Sequence, residues 1–282
     1  AGGKKEPLEV PSLTPSELIN KGEIEPEMRR RPFIVRGLLN VTETLQKWPL
    51  SRLMVPPLDE IVIDYFDDAR GKVLVPNARD QLGSIAKRIS EGSPEKFGSE
   101  MIFRLHPDLL DDFPLPILEK VTGQGHIAKS LIGTTLTVPV FMGTGRHTDQ
   151  DETVNTPLHC EPIANAVAQM SGSKKWLLLA PDQSKYLKPR VSPDGRAYVY
   201  STLPSDHPQI EQLERYEVIM NEGDVMYLPT WTWHQVDYLP GITAMSVSFF
   251  HVLTKGILLD NTLHTVVTLP NMIKELVGVN KQ

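Results

Sequence analysis

The sequence predicts a mainly β chain that closes into a barrel or double-sheet jelly roll, with helices flanking it at both ends. Three observations carry that expectation. Short apolar runs recur between turn residues through the second half of the chain, at 176–180, 216–220, 225–228 and 243–250. A His-x-Glu pair, His159 and Glu161, is followed 75 residues after its histidine by a second histidine, His234, behind a Gly-Asp turn and an apolar strand. No internal repeat or low-complexity tract interrupts this pattern.

At 282 residues the chain is long enough for one large β domain with added elements, or for two small ones. Hydrophobic residues make up 40% and charged residues 23%, so a sizeable core can be buried. The 29 basic and 35 acidic residues leave a net charge of −6, and no basic block appears, which argues against duplex nucleic acid as a partner. A small basic pocket for an anionic metabolite or a folded RNA stays open. No run of 18 apolar residues occurs, so no transmembrane span is expected. The single cysteine, Cys160, excludes an intrachain disulfide framework and fits a reducing compartment. The chain opens AGGKKEPLEV without Met. Of the two readings of that start, a boundary or an end left by a removed targeting peptide, the second is preferred and points to an organelle.

Taken in order, residues 1–13 are polar and expected to hang loose. Thr14-Pro15-Ser16-Glu17 is a capping box with Pro at the first helical position. Residues 32–36 read as a strand ended by Gly37, and 41–48 as a helix with Thr42 as cap. EIVIDYF at 60–66 alternates as a strand, with 72–75 as its hairpin partner. Leu82, Ile85, Ala86 and Ile89 give helical spacing to 78–89, closed by Gly92, Ser93 and Pro94. Short helices and prolines follow to 130, then a strand at 134–142 that Pro139 marks as an edge or a bulge. A polar loop covers 143–155. Residues 182–216, rich in Pro, Asp, Ser and Tyr, are expected as an insertion loop over the barrel mouth. The tail from Gly256, with Leu258, Leu259, Leu263, Val266 and Val267 and then Met272, Ile273, Leu276 and Val277 past Pro270, reads as a pair of amphipathic helices. Such a tail would pack on the barrel, on a second copy or on another protein. The resulting division is a flexible 1–13, N-terminal α/β elements at 14–130, the barrel at 131–252 and a helical segment at 253–282.

A lone His-x-acid pair is weak evidence, since 8 His and 35 acidic residues in 282 give about one by chance. This chain has three. His106–Asp108 precedes a Pro-rich stretch and has no partner histidine in context. His147–Asp149 lies in the polar loop, as a rim or substrate residue or simply as solvated loop. His159–Glu161 differs, because on a strand residues i and i+2 share a face and can grip one ion. Two histidines and one carboxylate are the facial ligand set of non-haem Fe(II), which leaves coordination positions open for co-substrate and oxygen. Cys160, between them, points to the opposite face and reads as a small buried hydrophobe rather than a reactive thiol. Lys174 stands at the start of a buried strand, where its ammonium would give a charge-assisted hydrogen bond to the distal carboxylate of a 2-oxo acid beside the Thr156 hydroxyl. Without the histidines, Lys174 and Lys175 would read as a solvated pair.

With TPLHCEPIANAVAQMSGSKKWLLLAP and GDVMYLPTWTWHQVDYLPGITAMSVSFF in this order, the chain resembles the JmjC/cupin-type Fe(II)- and 2-oxoglutarate-dependent oxygenases, and within them the asparaginyl hydroxylases that act on hypoxia-inducible factor. The likeness covers about 132–252, and more loosely 32–37. It implies a double-stranded β-helix fold in which His159, Glu161 and His234 bind iron, and Lys174 and Thr156 hold 2-oxoglutarate. Asn165 falls where the family has an asparagine near the co-substrate, and Ser248 where those hydroxylases have another. They also carry Asp in place of Glu161. Trp231 and Trp233 would line or floor the pocket. The implied reaction releases CO2 and succinate and oxidises a C–H bond of a protein side chain or a small molecule, a tRNA base included. The reading from another class is a barrel of weakened or lost chemistry, kept as a structural subunit of a larger assembly.

Overall fold

The computed structural model describes residues 3–20, 24–70, 74–123, 135–145, 154–192, 195–251 and 259–276. Along its central strands, successive side chains divide between two environments, as a pleat requires. In Ala164–Ser171, Ala166 and Ala168 join an outer apolar cluster while Val167 faces the space between the sheets. Lys174–Leu179 turns Trp176 and Leu178 inward, Leu177 and Leu179 outward. In Thr243–His251, Met245, Val247 and Phe249 pack outside, whereas Ser246, Ser248 and Phe250 line the interior cavity.

An eight-stranded sheet runs in the order Ser12–Leu13, Phe33–Val35, Val225–Leu228, Ala164–Ser171, Thr243–His251, Val140–Thr144, Lys96–Ser99, with Thr135–Thr137 also on Thr243–His251. A six-stranded sheet runs Pro189–Val191, Val199–Ser201, Asn155–Cys160, Trp233–Tyr238, Lys174–Leu179, Tyr216–Met220. From Asn155 onward the chain crosses repeatedly from one sheet to the other, which makes the jelly roll. Ile34, Val167, Trp176, Leu178, Met226 and Val236 fill one end of the space between the sheets and leave the other end as the cavity. The outer face of the larger sheet is covered by the helices Leu82–Glu91 and Leu115–Thr122 and their neighbours. Asp224 locks the barrel to its N-terminal strands. Its buried carboxylate accepts from Arg36 Nη1 at 2.7 Å and from the Gly37 and Asn221 amides at 2.9 Å.

Several sequence expectations are met and others corrected. The capping box forms, with the Thr14 amide donating to Glu17 Oε2 at 2.7 Å and the Glu17 amide to Thr14 Oγ1 at 3.2 Å. The start of the chain is not loose where described: the Lys5 and Leu8 amides donate to the Glu211 and Arg215 carbonyls at 2.9 and 2.8 Å. The partner of Val62–Tyr65 is Ala78–Gln81, not 72–75, of which 72 and 73 lie outside the described residues. The helix consequently starts at Leu82, because the polar Arg79, Asp80 and Gln81 suit an exposed two-stranded ladder and the apolar repeat begins only at Leu82. Pro139 does interrupt its strand, splitting it into Thr135–Thr137 and Val140–Thr144. The 182–216 segment is no simple loop: Pro189–Val191 and Val199–Ser201 extend the six-stranded sheet beside Asn155–Cys160. Pro270 does not divide the tail into two helices as expected: among the described residues the helix Thr262–Leu276 runs through it. The carbonyl that Pro270 deprives of a donor belongs to Val266, which is exposed, so water can serve it. No helix of the described residues is long and apolar enough to cross a membrane.

Candidate metal centre and its pocket

His159 and His234 lie directly opposite each other in the antiparallel pair Asn155–Cys160 and Trp233–Tyr238, and the register shifts just past His234. Glu161 follows the end of its strand and turns the same way as His159, with His159 Nε2 3.8 Å from Glu161 Oε1. One ligand atom from each of the three side chains lies within 4.8 Å of the others, and no other such group occurs among the described residues. The Nδ1 of His159 is 2.7 Å from the Pro157 carbonyl and that of His234 3.0 Å from the Thr232 carbonyl. A carbonyl only accepts, so each ring carries its proton on Nδ1 and presents the Nε2 lone pair to the third group. This is how metal-ligating histidines are oriented. Burial pushes His234 down to about 4 and, with the neighbouring His234, holds His159 well below its ordinary value. Both rings are therefore neutral at pH 7, as ligation needs. The donor set fits a divalent transition metal with open positions.

The cavity beside this triad measures about 140 Å³, well beyond the roughly 10–15 Å³ that one water needs. Lys174 reaches into it from the strand start. It is 1% exposed, donates to Ser246 Oγ at 2.8 Å and to the Phe141 carbonyl at 3.4 Å, and sits 4.8 Å from the Tyr238 ring centroid. Asn165 Nδ2 donates to Ser248 Oγ at 3.3 Å, and both line the same cavity with Thr156. Among the described residues Asn165 Oδ1 and Trp176 Nε1, buried in the cavity wall, have no hydrogen-bond partner. Buried polar atoms of this kind are what a bound polar ligand satisfies.

The sequence thus brings together His159, Glu161, His234, Lys174, Thr156, Asn165 and Ser248 in one cavity wall. Trp231 and Trp233 are corrected. They do not line the pocket but pack outside with Leu158, Cys160 and Leu179, against His264 of the C-terminal helix. Alternation explains it for Trp233, since a strand that turns His234 inward turns its neighbour outward. Its Nε1 donates to Ser184 Oγ at 2.8 Å. His147 and Asp149 lie outside the described residues. His106 and Asp108 have no place in the cavity wall. The wall also includes Lys96, Trp176, Arg196 and Tyr198, none of them singled out by the sequence. The inward period of Lys174 would have found Trp176. Lys96 comes from a strand more than 50 residues before the motif, and nothing local marks it.

A jelly roll with two histidines and a carboxylate opening onto a cation-lined cavity defines a barrel of the cupin class. The chain belongs to the cupin-like domain family, whose model matches residues 25–255. Its relatives include JmjC-containing proteins. It is 29% identical over 96 residues to HSPB1-associated protein 1 of Rattus norvegicus, covering 32% of this chain and 20% of that one. It is 23% identical over 198 residues to tRNA wybutosine-synthesizing protein 4 of Aspergillus fumigatus, covering 68% and 18%. It is 29% identical over 85 residues to Jumonji C domain-containing protein 5 of Drosophila melanogaster, covering 29% and 21%. The aligned parts span about a fifth of the length of these relatives.

Proposed function

We propose that the chain is an Fe(II)- and 2-oxoglutarate-dependent oxygenase acting on a C–H bond of a protein side chain or a small molecule. The observation that carries this reading is the pairing, in one cavity, of the His159–Glu161–His234 group with the buried ammonium of Lys174. Iron with 2-oxoglutarate supplies dioxygen activation, with oxidative decarboxylation to succinate and CO2 and an oxygen atom for the substrate. The chain supplies the rest. His159 and His234 offer oriented Nε2 atoms, and Glu161 offsets the metal's charge. Lys174, with Ser246 and Thr156 nearby, holds the distal carboxylate and so fixes which end of the acid meets the metal. Asn165 and Ser248 offer hydrogen bonds beside the metal group, and Trp176 and Phe250 exclude water.

The likeness to the asparaginyl hydroxylases rests on the two motif stretches, and Glu161 and Ser248 depart from it. The name of the wybutosine-synthesizing relative adds a tRNA base to the candidate substrates, against which the acidic balance weighs. A second reading, a barrel serving as a subunit of a homodimer or a larger assembly, is favoured by Leu263, Val266, Val267 and Ile273, exposed on the C-terminal helix. The test is succinate formation from 2-oxoglutarate by Fe(II)-loaded protein with and without candidate substrates. The oxygenase reading expects turnover that Lys174→Ala and His159→Ala each abolish. Turnover that survives Lys174→Ala would sink the 2-oxoglutarate assignment.

A further inference from the structure

Lys174 is not the only ammonium in the cavity. Lys96 opens the edge strand Lys96–Ser99, which pairs with Val140–Thr144 so that Lys96 faces Gly143. It is 5% exposed and lines the cavity with Lys174, Thr156 and Tyr238. Its Nζ donates to the Asn155 carbonyl at 2.5 Å and to Thr156 Oγ1 at 3.3 Å, and stands 4.6 Å from the Phe66 ring centroid. Among the described residues neither Lys96 nor Lys174 has a carboxylate partner. Burying one ammonium among neutral groups is costly, and burying two within reach of each other's charge is costlier still. The charge of Lys96 adds to burial in pushing Lys174 down to about 7, and burial alone does the same to Lys96. The missing partner is an anion that the described chain does not provide.

We propose that Lys96 is a second binding residue for the distal carboxylate of the 2-oxo acid, gripping it together with Lys174 and Thr156. This inference rests on the oxygenase reading above. A carboxylate has two oxygens with about four acceptor sites, so one group can take an ammonium on each oxygen and a hydroxyl besides. The Thr156 hydroxyl, which already accepts from Lys96, joins the two halves of the cradle. Two cations in the wall of one cavity select an acid that ends in a carboxylate over one of equal length that ends in a methyl. Lys96 is then a specificity-determining residue for the co-substrate rather than a packing lysine.

The test is calorimetric titration of the Mn(II)-loaded protein, native and Lys96→Met, with 2-oxoglutarate and with 2-oxopentanoate, which lacks the distal carboxylate. Loss of one charge-assisted hydrogen bond predicts that Lys96→Met weakens 2-oxoglutarate about tenfold or more. It leaves 2-oxopentanoate within about twofold, well inside what such a bond contributes. Lys96→Arg recovers part of the loss. Should Lys96→Met not fold, Lys96→Gln, which keeps a donor for the Asn155 carbonyl, carries the same comparison. Equal weakening of both acids, or of neither, overturns the assignment and leaves Lys96 as a tie to Asn155. Native protein that takes up Mn(II) but binds no 2-oxoglutarate overturns the oxygenase reading itself, and this inference with it.

Discussion

His159 and His234 face each other in register across one antiparallel strand pair, their ring centroids 4.2 Å apart. Two imidazoles so close, each with Nδ1 committed to a backbone carbonyl, aim their lone pairs at one point. His234→Ala should therefore abolish stoichiometric Mn(II) binding while the barrel still folds. Equilibrium dialysis measures the first and far-UV circular dichroism the second. Retained one-to-one binding in His234→Ala would place the metal elsewhere.

Affinity for 2-oxoglutarate should fall as pH rises above 7. Burial pushes Lys96 and Lys174 down to about 7 from the ordinary 10.5, so in the ligand-free protein both are charged below that pH and neutral above it. An anion bound above pH 7 must bring protons with it, which weakens binding by up to about tenfold per unit for each lysine recharged. Titrations at pH 6.5, about 7.5 and 8.5 test the slope. The ligand-free protein should become more stable over the same rise. The unfolded chain keeps protons up to the ordinary lysine value that the fold has shed, and below pH 7 the penalty stands in full.

Asp224→Ala should be among the most destabilising single changes. It removes the acceptor of the Arg36 guanidinium and of the Gly37 and Asn221 amides, in a site only 4% exposed. A loss of about 2–4 kcal/mol is expected from chemical denaturation. A loss under about 1 kcal/mol, the size of an exposed ion pair, would mean that the turn and the N-terminal strands hold without it.

Cys160 should resist thiol reagents in the folded protein and react once the protein is unfolded in denaturant. It is fully buried, its Sγ lies 3.6 Å from His264 Nδ1, and burial, with Glu161 nearby, pushes the thiol well above its ordinary value. Fast labelling of native protein would show that the C-terminal helix leaves the outer face readily.

What the sequence disclosed followed from local rules. Period-two alternation puts His159 and Cys160 on opposite sides of their strand, and the capping box and Gly92 mark where helices begin and end. What it hid depended on distant pairing. Ala78–Gln81 has no apolar rhythm of its own and becomes a strand only because Val62–Tyr65 lies beside it. Lys96 enters the cavity only because its strand joins the edge of a sheet made mostly of later residues. Trp233 lies outside the pocket for a different reason. The resemblance suggested a pocket residue where the alternation that turns His234 inward already required the opposite face.

In the proposed oxygenase one cavity holds both a metal at His159, Glu161 and His234 and a 2-oxo acid on Lys174. Anaerobic titration of the native protein with Fe(II) and then 2-oxoglutarate, followed by visible absorption, tests it most directly. A weak charge-transfer band that saturates with 2-oxoglutarate and is absent from folded His159→Ala, Glu161→Ala double variant is the predicted result. Folded, iron-loaded native protein that shows no band would leave the barrel as a subunit without this chemistry.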